Sequence, residues 1–222
     1  VQARLAAHWR LKLLLTVTLN LAFGAIYSLL GRWAVFPVRV PPQTWFDRVI
    51  PFQPEPWVWL YLSQFLFVTP LPWLIDTREG LCRYIRGLGF MCGVSFAVFL
   101  FFPVASPRPP DSATHASMQW LLRYDGAFNA FPSLHAAFLV YLAALGWRVF
   151  GRDLSRTAAV AAVLWAGLIL YATIATRQHY AVDLLAGGIV GGVADWLAWR
   201  TPTGVSAAQA MARSRGVESH DG

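Results

Sequence analysis

Charge is what this chain has least of. Only 13% of its 222 residues are Asp, Glu, Lys or Arg, whereas 57% are hydrophobic. A soluble domain carries about 25% charged and about 45–50% apolar residues. The deficit excludes an ordinary soluble domain, and it excludes a disordered chain, which needs low hydrophobicity and high charge. Cysteine is almost missing as well. Cys82 and Cys92 are the only two, at and near the start of one apolar stretch, which rules out a disulfide-stapled secreted module and predicts neither a disulfide nor a metal site. Lysine is reduced to Lys12 alone, so the net charge of +7 rests on arginines spread along the chain with no basic run. Such a distribution does not make a nucleic-acid surface. Internal repeats, an H-E-x-x-H zinc helix and a G-x-S-x-G elbow are also absent.

What is present is hydrophobic length. A helix needs about 20 apolar residues to cross a hydrocarbon core of about 30 Å. Gaps between charges give spans at 13–31, 56–75, 87–107, 131–149, 157–176 and 179–199. The fold class expected is therefore an all-α integral membrane protein, a six-helix transmembrane bundle forming one domain over 1–200. The small, polar tail at 201–222 is expected to be disordered and cytoplasmic. With the N-terminus inside, twelve of the 18 basic residues fall in the cytoplasm and six outside, which satisfies the positive-inside rule and puts both termini in the cytoplasm. The first stretch is long enough to span and no A-x-A site follows it, so no cleaved signal peptide is expected; the opening Val1 carries the expectation of a true N-terminus further upstream. Thr44-Trp45-Phe46-Asp47 reads as a capped helix start lying at the bilayer interface. Gly187, Gly188, Gly191 and Gly192 place small residues at four-residue spacing, as a close helix contact requires. No oligomeric state is predicted.

Ionisable groups inside a span are costly and therefore point to function. His135 follows Pro132-Ser133-Leu134 at the outer start of span four, and His179 and Asp183 stand at the outer start of span six. Both spans run in the same direction, so topology alone brings two histidines and an aspartate to one level. His179 and Asp183 are i and i+4, neighbours on a helix. The carboxylate would then hold one ring N–H and leave the other nitrogen free to attack or to take a proton. Ser133 is placed to cap the fourth helix, whose N-terminus favours an anion such as phosphate. Arg108, Arg123 and Arg177 lie on the same outer side as candidate phosphate-binding cations.

Phe131-Pro132-Ser133-Leu134-His135-Ala136, together with Arg177-Gln178-His179-Tyr180-Ala181-Val182-Asp183, resembles the type 2 phosphatidic acid phosphatase superfamily. The P-S-L-H and H-Y-x-x-D forms are most similar to the branch containing inositol phosphorylceramide synthase, an inositolphosphotransferase. The resemblance spans residues 45–195 and rests on about a dozen positions. It implies a lipid phosphatase or phosphotransferase with no cofactor and no metal. By it, His179 is the nucleophile that becomes phosphohistidine, Asp183 orients and polarises it, and His135 protonates the leaving alcohol. The chain departs from the superfamily pattern at Leu134, where the broad family has Gly, at Thr173, where it has Arg, and at Phe101, where it has Lys. Arg108, in Arg108-Pro109, matches the family's Arg-Pro pair; Arg108 and Arg177 take the vacant clamp roles, with Ser133 and Arg123 beside them.

The expected activity is transfer of the phosphoryl or phospho-head group of a lipid phosphate to water or an alcohol. The lipid and the bilayer are the partners, nucleic acid is not one, and the location is a bacterial-type inner membrane with the site facing the periplasm. Three alternatives stay open from the residues: a serine hydrolase using Ser133, a zinc site built from His135, His179 and Asp183, and a non-catalytic lipid-binding or transport protein.

Overall fold

The computed structural model describes residues 1–151 and 153–200, so the expected disordered tail at 201–222 lies outside the described residues. The described chain is helical: α1 (Gln2–Ala6), α2 (Trp9–Arg32), α3 (Trp45–Val49), α4 (Trp57–Leu62), α5 (Phe65–Val68), α6 (Arg78–Phe101), α7 (Ala116–Tyr124), α8 (Leu134–Phe150), α9 (Arg156–Ala175) and α10 (Ala181–Arg200), with 3₁₀ turns at Leu71–Leu74 and Pro110–Thr114. Four of these, α2, α6, α9 and α10, are long and apolar enough to cross a membrane, and α8 is a shorter apolar helix of 17 residues. The protein is an integral membrane protein that passes the bilayer several times.

Three expected boundaries move, each for a local reason. The stretch 56–75 is not one helix but α4, α5 and a 3₁₀ turn. Pro70 and Pro72 remove backbone donors and crowd the preceding turn, and Ser63 Oγ turns back onto the Leu60 carbonyl at 2.6 Å. Helix α6 begins at Arg78, capped by the Thr77 hydroxyl on Gly80 N–H at 3.1 Å, nine residues before the expected span start at 87. Its first turns carry charges that a gap-counting rule rejects, yet those charges are satisfied internally. Arg83 pairs with Glu79 at 2.7 Å, and Arg83 and Arg86 donate to the carbonyls of Trp199 and Ala198 at the end of α10. Finally, α10 starts at Ala181, so His179 stands in the turn before it rather than on the helix.

Helices α8 and α10 form the centre of the bundle, and two glycines set their separation. A Cβ on Gly187 would run into the Ser133 carbonyl, and one on Gly191 into the Ala137 carbonyl. In a bilayer, helix association rests on such close packing rather than on expulsion of water. Gly188 and Gly192 face away, with nothing within 4 Å of a Cβ on Gly192. Tyr141, Leu142 and Leu145 of α8 and Ala194 and Ala198 of α10 continue the contact into a core that includes Met91 and Phe99 of α6. Gly191→Leu is therefore expected to lower the thermal midpoint of the detergent-purified protein and to remove activity, because overpacking costs about 1–3 kcal/mol and pries the two helices apart. Gly192→Ala should change neither; equal behaviour of the two variants would refute this account of the interface.

The ends of α2, α6 and α9 and the starts of α8 and α10 gather at one end of the bundle. There Gly31, at the end of α2, accepts from Ala127 and Phe128 N–H at 2.8 and 3.0 Å. Val104 bridges Arg39 on one side and Asn129 on the other in short parallel pairings. The chain therefore enters α8 through an extended strip whose carbonyls and amides are fixed by neighbouring backbone.

Candidate active site

The strip, the turn and the helix starts converge on two buried imidazoles. His179 Nδ1 donates to the Ala130 carbonyl at 2.7 Å, and Ala130 N–H is itself held by Val104 O at 3.2 Å. With Nδ1 carrying the proton, Nε2 of His179 keeps its lone pair. That nitrogen lies 3.4 Å from His135 Nδ1. His135 sits in the first turn of α8, where Ser133 Oγ accepts from Ala136 N–H at 3.3 Å. Ser133 is fully buried in this cap, so its hydroxyl is spent on the helix terminus.

Asp183 is close to the pair but does not hold the ring. Its Oδ2 accepts from Tyr180 N–H at 2.8 Å and lies 3.8 Å from His179 Nδ1, too far for a hydrogen bond. The ring's orientation, expected of the carboxylate, falls to the Ala130 carbonyl instead. The reason is the position of His179 before the helix, which points Asp183 toward the backbone of the helix start. What Asp183 adds to the ring is negative charge within 4 Å. It also ties the two helices together, since Ser133 N–H donates to the Asp183 carbonyl at 3.0 Å. Asp183 lies on the Nδ1 side of His179 and His135 on the Nε2 side. The three side chains thus do not converge on one point, as a three-ligand zinc centre requires.

The turn that carries His179 is built by an unusual residue. Helix α9 ends in a Schellman motif, with Gln178 N–H on Thr173 O and Arg177 N–H on Ile174 O. The position that normally takes Gly is Arg177, at φ 53°, a left-handed conformation that costs a non-glycine residue on the order of 1 kcal/mol. Its guanidinium offsets this by donating to the carbonyls of Asp47 and Ile50, at 2.5 and 2.9 Å. Arg177 is thus committed to the segment around α3 and is not directed at the histidines, contrary to the expectation of a phosphate ligand. Asp47 completes that junction. Its Oδ2 accepts from Thr44 N–H in the capping box, and its Oδ1 accepts from Ala181 N–H at the start of α10 at 2.8 Å.

Of the three arginines, Arg108 is the one beside the pair. It donates through Nε and Nη2 to Gln178 Oε1 at 3.1 and 2.6 Å, and through Nη2 to Asp125 Oδ2 at 2.8 Å. Gln178 is the residue immediately before His179. Asp125 also accepts from the Tyr27 hydroxyl at 2.9 Å. Burial pushes the Asp125 carboxyl above the usual carboxylate range, and the Arg108 guanidinium pulls it back. Arg123 is exposed, and its contact with Arg32 runs through its own carbonyl; the structure does not bring its side chain to the histidines.

One contact had no signal in the sequence. Tyr61 of α4, 1% exposed, places its hydroxyl 3.1 Å from His135 Nδ1 and stacks its ring at 4.3 Å from the imidazole centroid. A lone tyrosine in an apolar run is read as packing, and only the three-dimensional fold brings it there. With the tyrosine O–H donating to Nδ1, the proton of a neutral His135 resides on Nε2.

A buried histidine pair with a carboxylate and a partnered arginine, held at one end of a helical membrane bundle, defines a membrane-embedded enzyme site for phosphate chemistry. The chain belongs to the PAP2 superfamily, whose family model matches residues 25–197. That segment contains every residue of the site. Membership marks the protein as an enzyme of the phosphatase type, directed at lipid phosphates. No curated protein and no solved structure matches the chain.

Proposed function

We propose that the protein is a lipid phosphoesterase or phosphotransferase working through a phosphohistidine on His179. The observation that carries this reading is the fixed tautomer: Ala130 O holds Nδ1–H and leaves the Nε2 lone pair facing His135. In the first step Nε2 of His179 attacks phosphorus, the bond from phosphorus to the lipid or head-group oxygen breaks, and that oxygen takes the proton from His135 Nε2. In the second step water or an alcohol attacks the phosphorus, His135 takes back a proton, and the P–N bond breaks. Arg108 neutralises charge gathered on the phosphoryl oxygens, and Asp183 stabilises the positive charge that His179 carries as phosphohistidine. No step calls for a metal.

The proposed topology keeps six passes, with α8 and the α4–α5–3₁₀ string as the two that fall short of a full-length helix. It places both termini in the cytoplasm and the site on the outer face of a bacterial-type inner membrane. The P-S-L-H and H-Y-x-x-D pattern favours the inositolphosphotransferase-like branch and so an alcohol as acceptor. Ser133, spent as a helix cap and buried, is a poor nucleophile by comparison.

The test is turnover of a panel of lipid phosphates by purified protein in EDTA, with and without vanadate, which mimics a five-coordinate phosphorus. Vanadate-sensitive phosphate release is expected if the acceptor is water, and vanadate-sensitive head-group exchange on adding alcohols if it is not. Activity lost in EDTA and restored by zinc, or labelling of Ser133 by a fluorophosphonate, would overturn the phosphohistidine reading.

A further inference from the structure

Beside the histidines the bundle is not filled. A cavity of about 230 Å³ is lined by His135, Tyr61 and Asp125 at one end and by Phe23, Phe65 and Phe138 at the other. The same three phenylalanines line a second cavity of about 450 Å³. The two form one groove along α2, facing α5, the 3₁₀ turn and α6. On α2 the groove follows Tyr27, Phe23, Leu19, Leu15 and Lys12, a spacing of three and four residues that marks one helix face. That face is not packed against protein: of the α2 residues only Lys12 and Gly31 are buried. The far end is closed. Lys12 Nζ donates to Arg4 O and Trp73 O at 2.6 and 2.7 Å, and Trp73 Nε1 donates to Thr16 Oγ1 at 2.8 Å.

Resting on the lipid-phosphate reading above, we propose that this groove holds a hydrocarbon chain of the substrate, with the phosphate at His135 and His179 and the chain running down α2 toward Lys12. The polarity fits an amphiphile along its whole length. Charge and hydrogen-bonding groups lie at the histidine end, the walls are apolar, and the floor is a closed polar lock that gives a chain no way onward. Length makes the inference sharper. From Tyr27 to Lys12 the groove follows α2 for roughly 22 Å, at about 1.5 Å per residue. One leaflet is half of a hydrocarbon core of about 30 Å, or about 15 Å. The groove therefore passes the bilayer midplane and takes a chain longer than one leaflet accommodates, so the substrate class is a lipid phosphate with at least one very long chain.

Gly89 of α6 lines the middle of the groove, and nothing lies within 4 Å of a Cβ built on it. A side chain there enters the groove without striking backbone. Gly89→Phe, and from the opposite wall Leu19→Trp, are the two obstructing variants. The first measurement is the ratio of kcat/KM for a long-chain isoprenyl phosphate to that for a dioctanoyl phosphatidic acid. Each variant is expected to lower that ratio at least about tenfold, because a chain passing the obstruction loses contacts that a short chain never makes. An unchanged ratio in both would overturn the groove. The second measurement does not depend on turnover. A long-chain phosphonate with a diazirine near its tail end is irradiated in the presence of protein in bilayer nanodiscs, and labelled peptides are mapped. Labelling on α2 near Leu15 and Leu19, reduced in both variants, is expected. Labelling confined to the outer rim, or insensitive to both variants, would overturn the proposal even in a protein with no measurable turnover. Turnover absent while the label enters the groove would fault the catalytic reading alone.

Discussion

Replacing His179 with alanine is expected to cut transfer from a lipid phosphate at least about 10³-fold while leaving the thermal midpoint of the purified protein close to that of the parent. The size of the effect follows from the role: the substitution removes the atom that bonds to phosphorus, and a covalent route cannot proceed without it. The small structural cost follows from the surroundings. The turn before α10 is closed by backbone bonds at Gln178 and Arg177 and by the Asp47 cap on Ala181, none of which uses the imidazole. The single protein bond lost is to the Ala130 carbonyl. Acid quenching destroys a phosphohistidine and alkali preserves it, so radiolabelled phosphoenzyme should be recovered from the parent under alkaline quench and be missing from His179→Ala. A variant that still formed the labelled protein would move the nucleophile elsewhere.

Replacing His135 with alanine should be nearly as damaging on a natural lipid phosphate, by about 10²–10⁴-fold, the usual worth of a general acid or base. Its distinguishing mark is dependence on the leaving group. An alkoxide needs its proton in the transition state, whereas a nitrophenolate leaves without one. On a nitrophenyl phosphate the first step of His135→Ala is therefore expected to recover to within about tenfold of the parent. The second step still needs a base for water, so phosphoenzyme accumulates. A burst of nitrophenol equal to the enzyme present, followed by slow turnover, is the expected trace. Equal losses on both substrates with no burst would show His135 to be a packing residue. Tyr61 bears on the same measurement through its bond to His135 Nδ1.

Much of this site was legible before any coordinates. Spans four and six share a direction, and that parity suffices to bring His135 and His179 to one level, where they stand 3.4 Å apart. The Ser133 cap and the Thr44–Asp47 capping box each follow from residue type and spacing. Hydrophobic length located α2, α9 and α10 to within a few residues. It failed at α6, because charges paired within the fold look in sequence like charges that need water. It failed at 56–75, where composition is apolar throughout but prolines and a serine divide the helix. The side chains most misread were those whose partners are backbone. Nothing in the residue string says that Arg177 turns to the carbonyls of Asp47 and Ile50, or that a carbonyl at Ala130 takes the ring proton expected of Asp183. Long-range backbone partners carry no residue identity, and so leave no pattern to read.

The bond between Arg177 and the segment around α3 has a mechanical consequence. Trp45 and Phe46 of that short helix are more than half exposed, as side chains that rest in a lipid surface are. Two residues after Arg177 stands the imidazole that attacks phosphorus, and Asp47 grips both α3 and the first amide of α10. Anything that lifts or presses α3, whether leaflet tension, headgroup crowding or a detergent rim, is transmitted through a guanidinium to the reacting nitrogen. The enzyme is in this sense a surface gauge as well as a catalyst, its rate set partly by the state of the interface on which its substrate arrives.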